Sequence, residues 1–280
     1  MTNPMSETVT ERGAAIIGDV HGCLDEARAL MARLREAGLR LDDTLVLIGD
    51  LLDKGPDSVG CVRFFREQAE AGQRTVLCMG NHEEKHGRWR RNAARERDGL
   101  GPNTMQDASG ELAAISAGLS LEDIAFLDSA VLYHRLPWAN ALVVHGGVMP
   151  NLTELPSLEA IAGLSRSKRG RFERMLRLRY WNVADARFVA FGEETVADVF
   201  WAQCYDGRFG HVFFGHEPFV DAQAPVSFPH ATSLDLGCVH GGKLVAALLR
   251  EGQDVTFLSV AAARVYAAPV AGAWTGVGSA

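Results

Sequence analysis

The sequence predicts an α/β fold in which two sheets pack together with helices on the outside. Three observations predict it. The apolar runs Ala14–Ile17, Thr44–Ile48 and Thr75–Met79 each lead into Gly-Asp or Gly-Asn, the pattern of buried strands followed by tight turns. Asp19 to Asp50 and Asp50 to Asn81 are both 31 residues apart, and the residues between carry helix-period apolar positions, as βαβ units require. The later apolar runs are short and turn-separated, and read as antiparallel hairpins.

Taken in order, Leu24–Ala37 and Asp57–Ala71 are the crossover helices of the two βαβ units. Past the third strand, an arginine-rich helix, the break Gly99-Leu100-Gly101-Pro102-Asn103 and helical sequence to about Ser129 predict a helical insert or lid over residues 86–130. It follows the Asn81-His82 loop directly and is expected beside the cleft. Val131–Leu136 should pair with Ala141–Val144, with further strands at Val212–Phe214, Ala231–Leu236, Lys243–Leu249 and Val255–Val260. The chain reads as a single domain over residues 13–266, with a flexible N-terminus at 1–12 and a small-residue tail at 267–280.

Composition narrows the function. At 280 residues and 47% hydrophobic content the chain can bury a large core. A formal charge of −7 argues against a general nucleic-acid binder, whose footprint is basic. Five scattered cysteines form neither a zinc spacing nor a disulfide framework, which fits a reducing compartment. The polar start and the lack of an apolar run near the ~20 residues of a membrane span predict a cytoplasmic protein without membrane partners. Oligomeric state is not readable from the sequence.

The post-strand phrases GDVHG, GDLLDKG and GNHE carry Asp19, His21, Asp50, Asp53, Asn81 and His82. In open α/β sheets such loops share the carboxyl edge, so these side chains should converge. Two further strand ends deliver His145 in His145-Gly146-Gly147 and His216 in Gly215-His216-Glu217. Carboxylates gathered in one place repel unless cations lie between them. Oxygen with imidazole nitrogen and no thiolate suits manganese, iron or zinc better than calcium or magnesium. The prediction is a site for two metal ions, with Asp50 bridging.

These phrases resemble the phosphoprotein phosphatase branch of the calcineurin-like metallophosphoesterases, a group that includes bacterial diadenosine tetraphosphatases; the resemblance spans roughly residues 14–250. It implies a four-layer αββα sandwich of two mixed sheets flanked by helices. It also implies two divalent or trivalent metal ions, manganese first, with iron or zinc as alternatives. By the resemblance Asp19 and His21 hold one metal, Asn81, His145 and His216 the other, and Asp50 both. His82 is the implied general acid and Asp53 the carboxylate that orients it. Two ions about 3.5–4 Å apart can bind a phosphoryl group and hold a hydroxide for in-line attack.

Three positions depart from the family pattern. Lys54 stands where arginine is usual, keeping the charge but losing the bidentate fork. Glu217 replaces a frequent threonine, and His240 a larger aromatic; both are candidate pocket residues. A bare Glu217 carboxylate would repel polyanions unless an arginine pairs with it. The phrase Asp185–Gly192 resembles one that carries a phosphate-binding arginine, making Arg187 the second phosphate ligand.

The function expected from these features is metal-dependent hydrolysis of phosphomonoesters, with a phosphoserine or phosphothreonine protein as substrate. The alternative is a dinucleoside polyphosphate such as diadenosine tetraphosphate, and a non-catalytic metal-binding scaffold is the rival of a different class. A nuclease is disfavoured because Gly215-His216-Glu217-Pro218 lacks the second histidine of a Gly-His-x-His ending. A single Gly-Asp phrase more often caps a helix than binds metal; five in order do not arise that way. His86, His134, His211 and His230 read as surface, core or supporting groups. The arginine-rich stretches Arg88–Arg97 and Arg166–Arg179 read as solvated helix faces.

Overall fold

The computed structural model describes residues 12–268. From the N-terminus the elements are β1 (Gly13–Ile17), α1 (Leu24–Glu36), β2 (Thr44–Leu47), α2 (Ser58–Glu70), β3 (Thr75–Leu77) and α3 (Asn81–Arg97). There follow α4 (Glu111–Gly118), α5 (Leu121–Asp128), β4 (Tyr133–Leu136), β5 (Ala141–Val144), α6 (Leu158–Ala162) and α7 (Arg166–Glu173). Next come β6 (Tyr180–Asn182), β7 (Arg187–Val189), β8 (Asp198–Phe200), α8 (Trp201–Cys204) and β9 (His211–Phe214). The chain closes with β10 (Val226–Phe228), β11 (Ala231–Ser233), β12 (Asp235–Leu236), β13 (Lys243–Arg250) and β14 (Thr256–Ala261).

The continuous apolar runs of the first strands have a direct cause: both faces are covered. Ala15 and Ile17 of β1, with Leu45 and Leu47 of β2, pack on Leu30 and Leu34 of α1 and Val62 and Phe65 of α2. Their alternates Ala14, Ile16 and Val46 pack on the other side with Val143 of β5 and Phe213 of β9. The period of two along each strand therefore separates a helix-facing layer from a sheet-facing layer. β1, β2 and β3 are parallel, and β13 and β14 extend the sheet antiparallel beyond β1. The second sheet runs β10-β11-β9-β5-β4. Two mixed sheets flanked by helices are thus the architecture, as the sequence predicted.

Several details differ from the sequence expectation. β4 and β5 form the predicted hairpin, but β9 lies parallel to both β5 and β11. The long excursion between β5 and β9 returns the chain in the same direction, which a hairpin cannot do. The predicted strand Ala231–Leu236 is two strands: after Leu234 donates to Phe214 O at 2.8 Å, the chain leaves the second sheet and β12 joins β13 of the first. A third antiparallel sheet, β7-β6-β8, was not predicted, because three-residue strands carry no readable alternation. Over the segment 86–130, α3 begins at Asn81 itself, and α4 and α5 lie against α2. Buried Asp123 of α5 accepts from Arg66 of α2 at 2.8 Å, and Arg90 of α3 reaches Asp128 at 2.8 Å. The expected flexible N-terminus, apart from residue 12, and the tail beyond residue 268 lie outside the described residues. Among the described residues no helix is long and apolar enough to cross a membrane.

Candidate active site

The carboxyl ends of β1, β2, β3, β5 and β9 meet, and every predicted metal-ligand position sits there. Backbone bonds lace the loops together before any side chain is considered. Val20 and His21 N–H both donate to Asp50 O, at 3.2 and 2.8 Å, and Gly215 N–H donates to His145 O at 2.8 Å. His21, Asp50, Asp53, Lys54 and His216 all have positive φ, between 45° and 72°, and Asn140 and Ala186 are the only other non-glycines in that region among the described residues. Backbone strain of this kind persists only where surrounding structure enforces it, and it concentrates at functional sites. The glycines before the ligands make room for neighbouring ligands. A Cβ on Gly80 would strike Asp50 Oδ1, and one on Gly215 would strike Asp19 Oδ1.

Asp50 is the hub. Its Oδ2 lies 3.4 Å from His21 Nε2 and 3.8 Å from His82 Nε2, and its Oδ1 lies 3.4 Å from His145 Nε2. Two donor groups share it, His21-Asp50-His82 and Asp50-His145-His216, each with its donor atoms within 4.8 Å of one another. Asn81 Oδ1 sits 3.1 Å from His145 Nε2, beside the second group. The two histidines are oriented from behind: Nδ1–H of His21 donates to Leu52 O at 2.8 Å, and Nδ1–H of His145 to Ile48 O at 3.2 Å. Since a carbonyl only accepts, each Nε2 is directed into the cluster.

Asp19 Oδ2 accepts His216 N–H at 3.0 Å, while Asp19 Oδ1 and His216 Nε2 are buried without a hydrogen-bond partner. Orphaned buried polar atoms are rare, and here an anionic oxygen and an imidazole nitrogen, two good ligands for a borderline cation, are both orphaned. The residues present therefore fit a pair of metal ions. Electrostatics agree. Burial and the nearby Asp235 and Asp50 carboxylates push Asp19 well above the usual carboxylate range. Burial also pushes Asp50 up, but His145 and His82 outweigh it and hold Asp50 well below that range. Burial acts against a charged His145, yet Asp50 and Asp19 raise it to about 9. Without cations these groups must share protons among themselves.

His82 is the most open imidazole of the cluster, its side chain 15% exposed. Its Nδ1 meets Asp53 Oδ2 at 2.5 Å. His86, which the sequence reads as a surface, core or supporting group, is fully buried, and its Nε2 meets the other Asp53 oxygen at 2.6 Å. Lys85 Nζ also reaches Asp53. Burial raises the Asp53 carboxyl, but the bonds from His82 and His86 win and hold it far below the ordinary range. Both residues follow from the helical phase of α3: an i, i+4 pair shares one face.

Glu83 was also missed. Its carboxylate accepts three backbone N–H groups, from Asp50 at 2.7 Å, Leu51 at 2.8 Å and Gly80 at 2.9 Å, which fixes the β2 loop to the start of α3. The signal was present in the GNHE phrase, since a Glu three residues past a helix N-cap reaches back to bare amides.

Lys54 Nζ lies 2.9 Å from His21 Nε2, at the edge of the cluster. Arg187 is not brought to it: its guanidinium is exposed and faces Asp185 Oδ2 at 3.4 Å. The arginines nearer the site are Arg177 and Arg179, which the sequence placed on a solvated helix; α7 ends before them. Arg177 pairs with Glu84 at 2.8 Å. Arg179 Nε donates to Glu217, and its Nη2 donates to His216 O at 3.0 Å. Glu217 is therefore buried with its charge answered by an arginine. His240 does not meet the cluster; its Nδ1–H donates to Ala267 O at 2.8 Å.

Comparison with known proteins defines the class. The family model for calcineurin-like phosphoesterases matches residues 14–220, and the chain belongs to that family. It is accordingly a metallophosphoesterase, a hydrolase of phosphoric esters or anhydrides from a family with a dinuclear metal site. Among its relatives, the Bacillus velezensis asymmetrical bis(5'-nucleosyl)-tetraphosphatase PrpE is 28% identical over 263 residues, covering 86% of this chain and 90% of the relative. Serine/threonine-protein phosphatase 1 of Salmonella typhimurium is 46% identical, but over 72 residues, 25% of this chain and 29% of the relative. The crystal structure of a candidate diadenosine tetraphosphatase superposes with a TM-score of 0.63 at 26% identity, covering 91% of this chain and 95% of the other.

Proposed function

We propose that the protein hydrolyses a phosphoanhydride bond of a dinucleoside polyphosphate. One observation carries this choice over the phosphomonoester expected from the sequence: tetraphosphatase relatives match along most of their own length and most of this chain. The Arg179–Glu217 pair supports it, because it removes the like-charge repulsion a bare Glu217 would present to a polyanion. The short stretch of high identity to a serine/threonine phosphatase keeps hydrolysis of a phosphorylated protein as the second reading.

In this reading Asp19, His21 and Asp50 would hold one metal ion, and Asp50, Asn81, His145 and His216 the other. When bound, two such ions neutralise phosphoryl oxygens and make water a stronger nucleophile near neutral pH. The protein's own groups do the rest. His82 gives its Nε2 proton to the departing phosphate oxygen, and Asp53 keeps the ring aimed by holding Nδ1. Lys54 draws a non-bridging oxygen of the substrate. Arg187, turned towards Asp185, is given no part.

Turnover of diadenosine tetraphosphate and of a phosphoserine peptide by the manganese-loaded protein tests the proposal. A kcat/KM for the dinucleotide at least about tenfold above that for the peptide is expected, a gap of one RT ln 10 in transition-state binding. The reverse ranking refutes it. Metal analysis of protein purified without added metal tests manganese against iron and zinc.

A further inference from the structure

After β14 the chain folds back as a strap, residues 262–267, beside the loop that carries Lys54. The strap is tied down along its length. Ala262 N–H donates to Gly242 O at 2.9 Å, and Tyr266 and Ala267 N–H both donate to Val239 O at 3.0 Å. The buried Glu26 carboxylate accepts Ala263 N–H at 2.9 Å and Tyr266 O–H at 2.8 Å. His240, through Ala267 O, adds another tie. Between strap and loop lies a cavity of about 240 Å³, lined by Lys54, Gly55, Pro56, Arg264, Val265 and Tyr266.

The cavity's lining holds two cations and no carboxylate. Neither Lys54 nor Arg264 is ion-paired with an acidic side chain among the described residues, whereas Lys85, Arg90, Arg177 and Arg179 each are. The Arg264 guanidinium instead lies over the Tyr266 ring, 5.2 Å from its centroid. Lys54 connects the cavity to the metal-ligand cluster through its 2.9 Å approach to His21. Its backbone is anchored as well, since Lys54 N–H donates to Glu111 of α4 at 3.2 Å. Gly55 allows this close seat, because a Cβ there would overlap His21 O. A fixed pocket with unpaired positive charge, one step from the reacting centre, is built for an anion larger than the phosphoryl group being transferred.

We propose that this pocket is the subsite for the phosphates that flank the scissile bond on the leaving nucleotide, with Lys54 and Arg264 as their ligands and Tyr266 as the wall. The inference rests on the dinucleoside polyphosphate reading. A phosphoanhydride has phosphate on both sides of the broken bond, so negative charge continues past the reacting phosphorus. A serine or threonine ester has a carbon chain there, for which two unpaired cations offer nothing. The same chemistry would also accept free inorganic polyphosphate, and the test separates the two.

The experiment uses the full chain with manganese, three substrates (diadenosine tetraphosphate, inorganic tripolyphosphate and p-nitrophenyl phosphate) and two variants, Arg264→Ser and Arg264→Lys. Arg264→Ser should raise KM for the dinucleotide about tenfold, the effect of one charge-assisted contact, with a smaller change in kcat. The KM ratio of dinucleotide to aryl phosphate should rise by a similar factor, and Arg264→Lys should recover most of it. An equal rise for aryl phosphate, or none for the dinucleotide, overturns the subsite. Wild-type preference for tripolyphosphate over the dinucleotide overturns its assignment to a nucleotide. If the wild type hydrolyses phosphopeptide and no dinucleotide, the functional reading fails; calorimetric binding of tripolyphosphate to both proteins then decides the pocket separately. Weaker binding by Arg264→Ser upholds an anion subsite, and equal binding ends it.

Discussion

The two flanks of the cleft are held in different ways. On the β1–β3 flank, ligand loops are fixed by backbone: Asp50 O takes two amides, Glu83 takes three, and strained φ angles place His21, Asp50 and Asp53. On the other flank, residues 177–217 are tied by long side chains, Arg177 to Glu84 and Arg179 to Glu217 and His216 O. A backbone-built flank tolerates almost no movement of its ligands, which is what dinuclear chemistry requires. A flank held by arginine tethers can change its surface away from His216, whose own place is fixed by a positive φ and by its N–H bond to Asp19, and that surface is where substrate choice is free to vary.

The sharpest way to break this contrast is at the hub. Asp50→Asn removes the shared negative charge between the two donor groups, and both metal contents and turnover should fall to background together, read by elemental analysis and an aryl phosphate assay. Loss of only one equivalent of metal would deny that Asp50 bridges. Next in size is His82→Ala, expected to lower kcat by about 10²–10⁴-fold with metal content near that of the wild type. The loss should be smallest for p-nitrophenyl phosphate, whose leaving group needs a proton least. Depleted metal in this variant would make His82 a ligand, as its place in the first donor group allows.

The tethered flank is tested through stability. Arg179→Met removes the guanidinium that answers the charge of Glu217, a carboxylate only 2% exposed, and should cost roughly 3 kcal/mol in urea unfolding. Adding Glu217→Gln should restore most of that. If the double variant is no more stable than the single one, Arg179 acts through its bond to His216 O and its stacking on Phe191, 4.9 Å from the ring centroid, instead of through charge pairing.

The same contrast explains what the sequence revealed. The ligand phrases of the first flank were legible because βαβ topology forces strand ends to one edge, so Asp19, Asp50 and Asn81 could be placed together without coordinates. Glu83, His86 and Lys85 were obscured by proximity to louder residues in GNHEEKH, although helical phase alone sets His82 and His86 on one face. Apart from β9 and His216, the second flank was not legible. β6, β7 and β8 are three residues long, α7 stops at Glu173, and the arginines that matter lie just beyond it, where a helix-face reading no longer applies. Arg187 is implied only by a phrase resemblance, and its side chain instead turns to a neighbour two residues away. Leu234 shows the same limit, since nothing local announces that a strand will change sheets.

His86 offers the finest test of the backbone-built flank. It is fully buried, belongs to no recognised phrase, and supplies one of the bonds that hold Asp53 far below the usual carboxylate range. His86→Phe keeps the volume and removes that bond, leaving Asp53 with His82 and Lys85. A carboxylate that loses a donor becomes easier to protonate, so its depressed pKa moves up. The acid limb of the kcat profile should therefore shift to higher pH, because Asp53 releases the His82 ring sooner as the solution is acidified. At neutral pH kcat should drop about tenfold, the size of effect seen when a group supporting a catalytic residue is removed, with KM within about twofold. A uniform loss of activity without movement of the acid limb would show that His86 only fills space beneath α3, and that Asp53 needs no help in aiming His82.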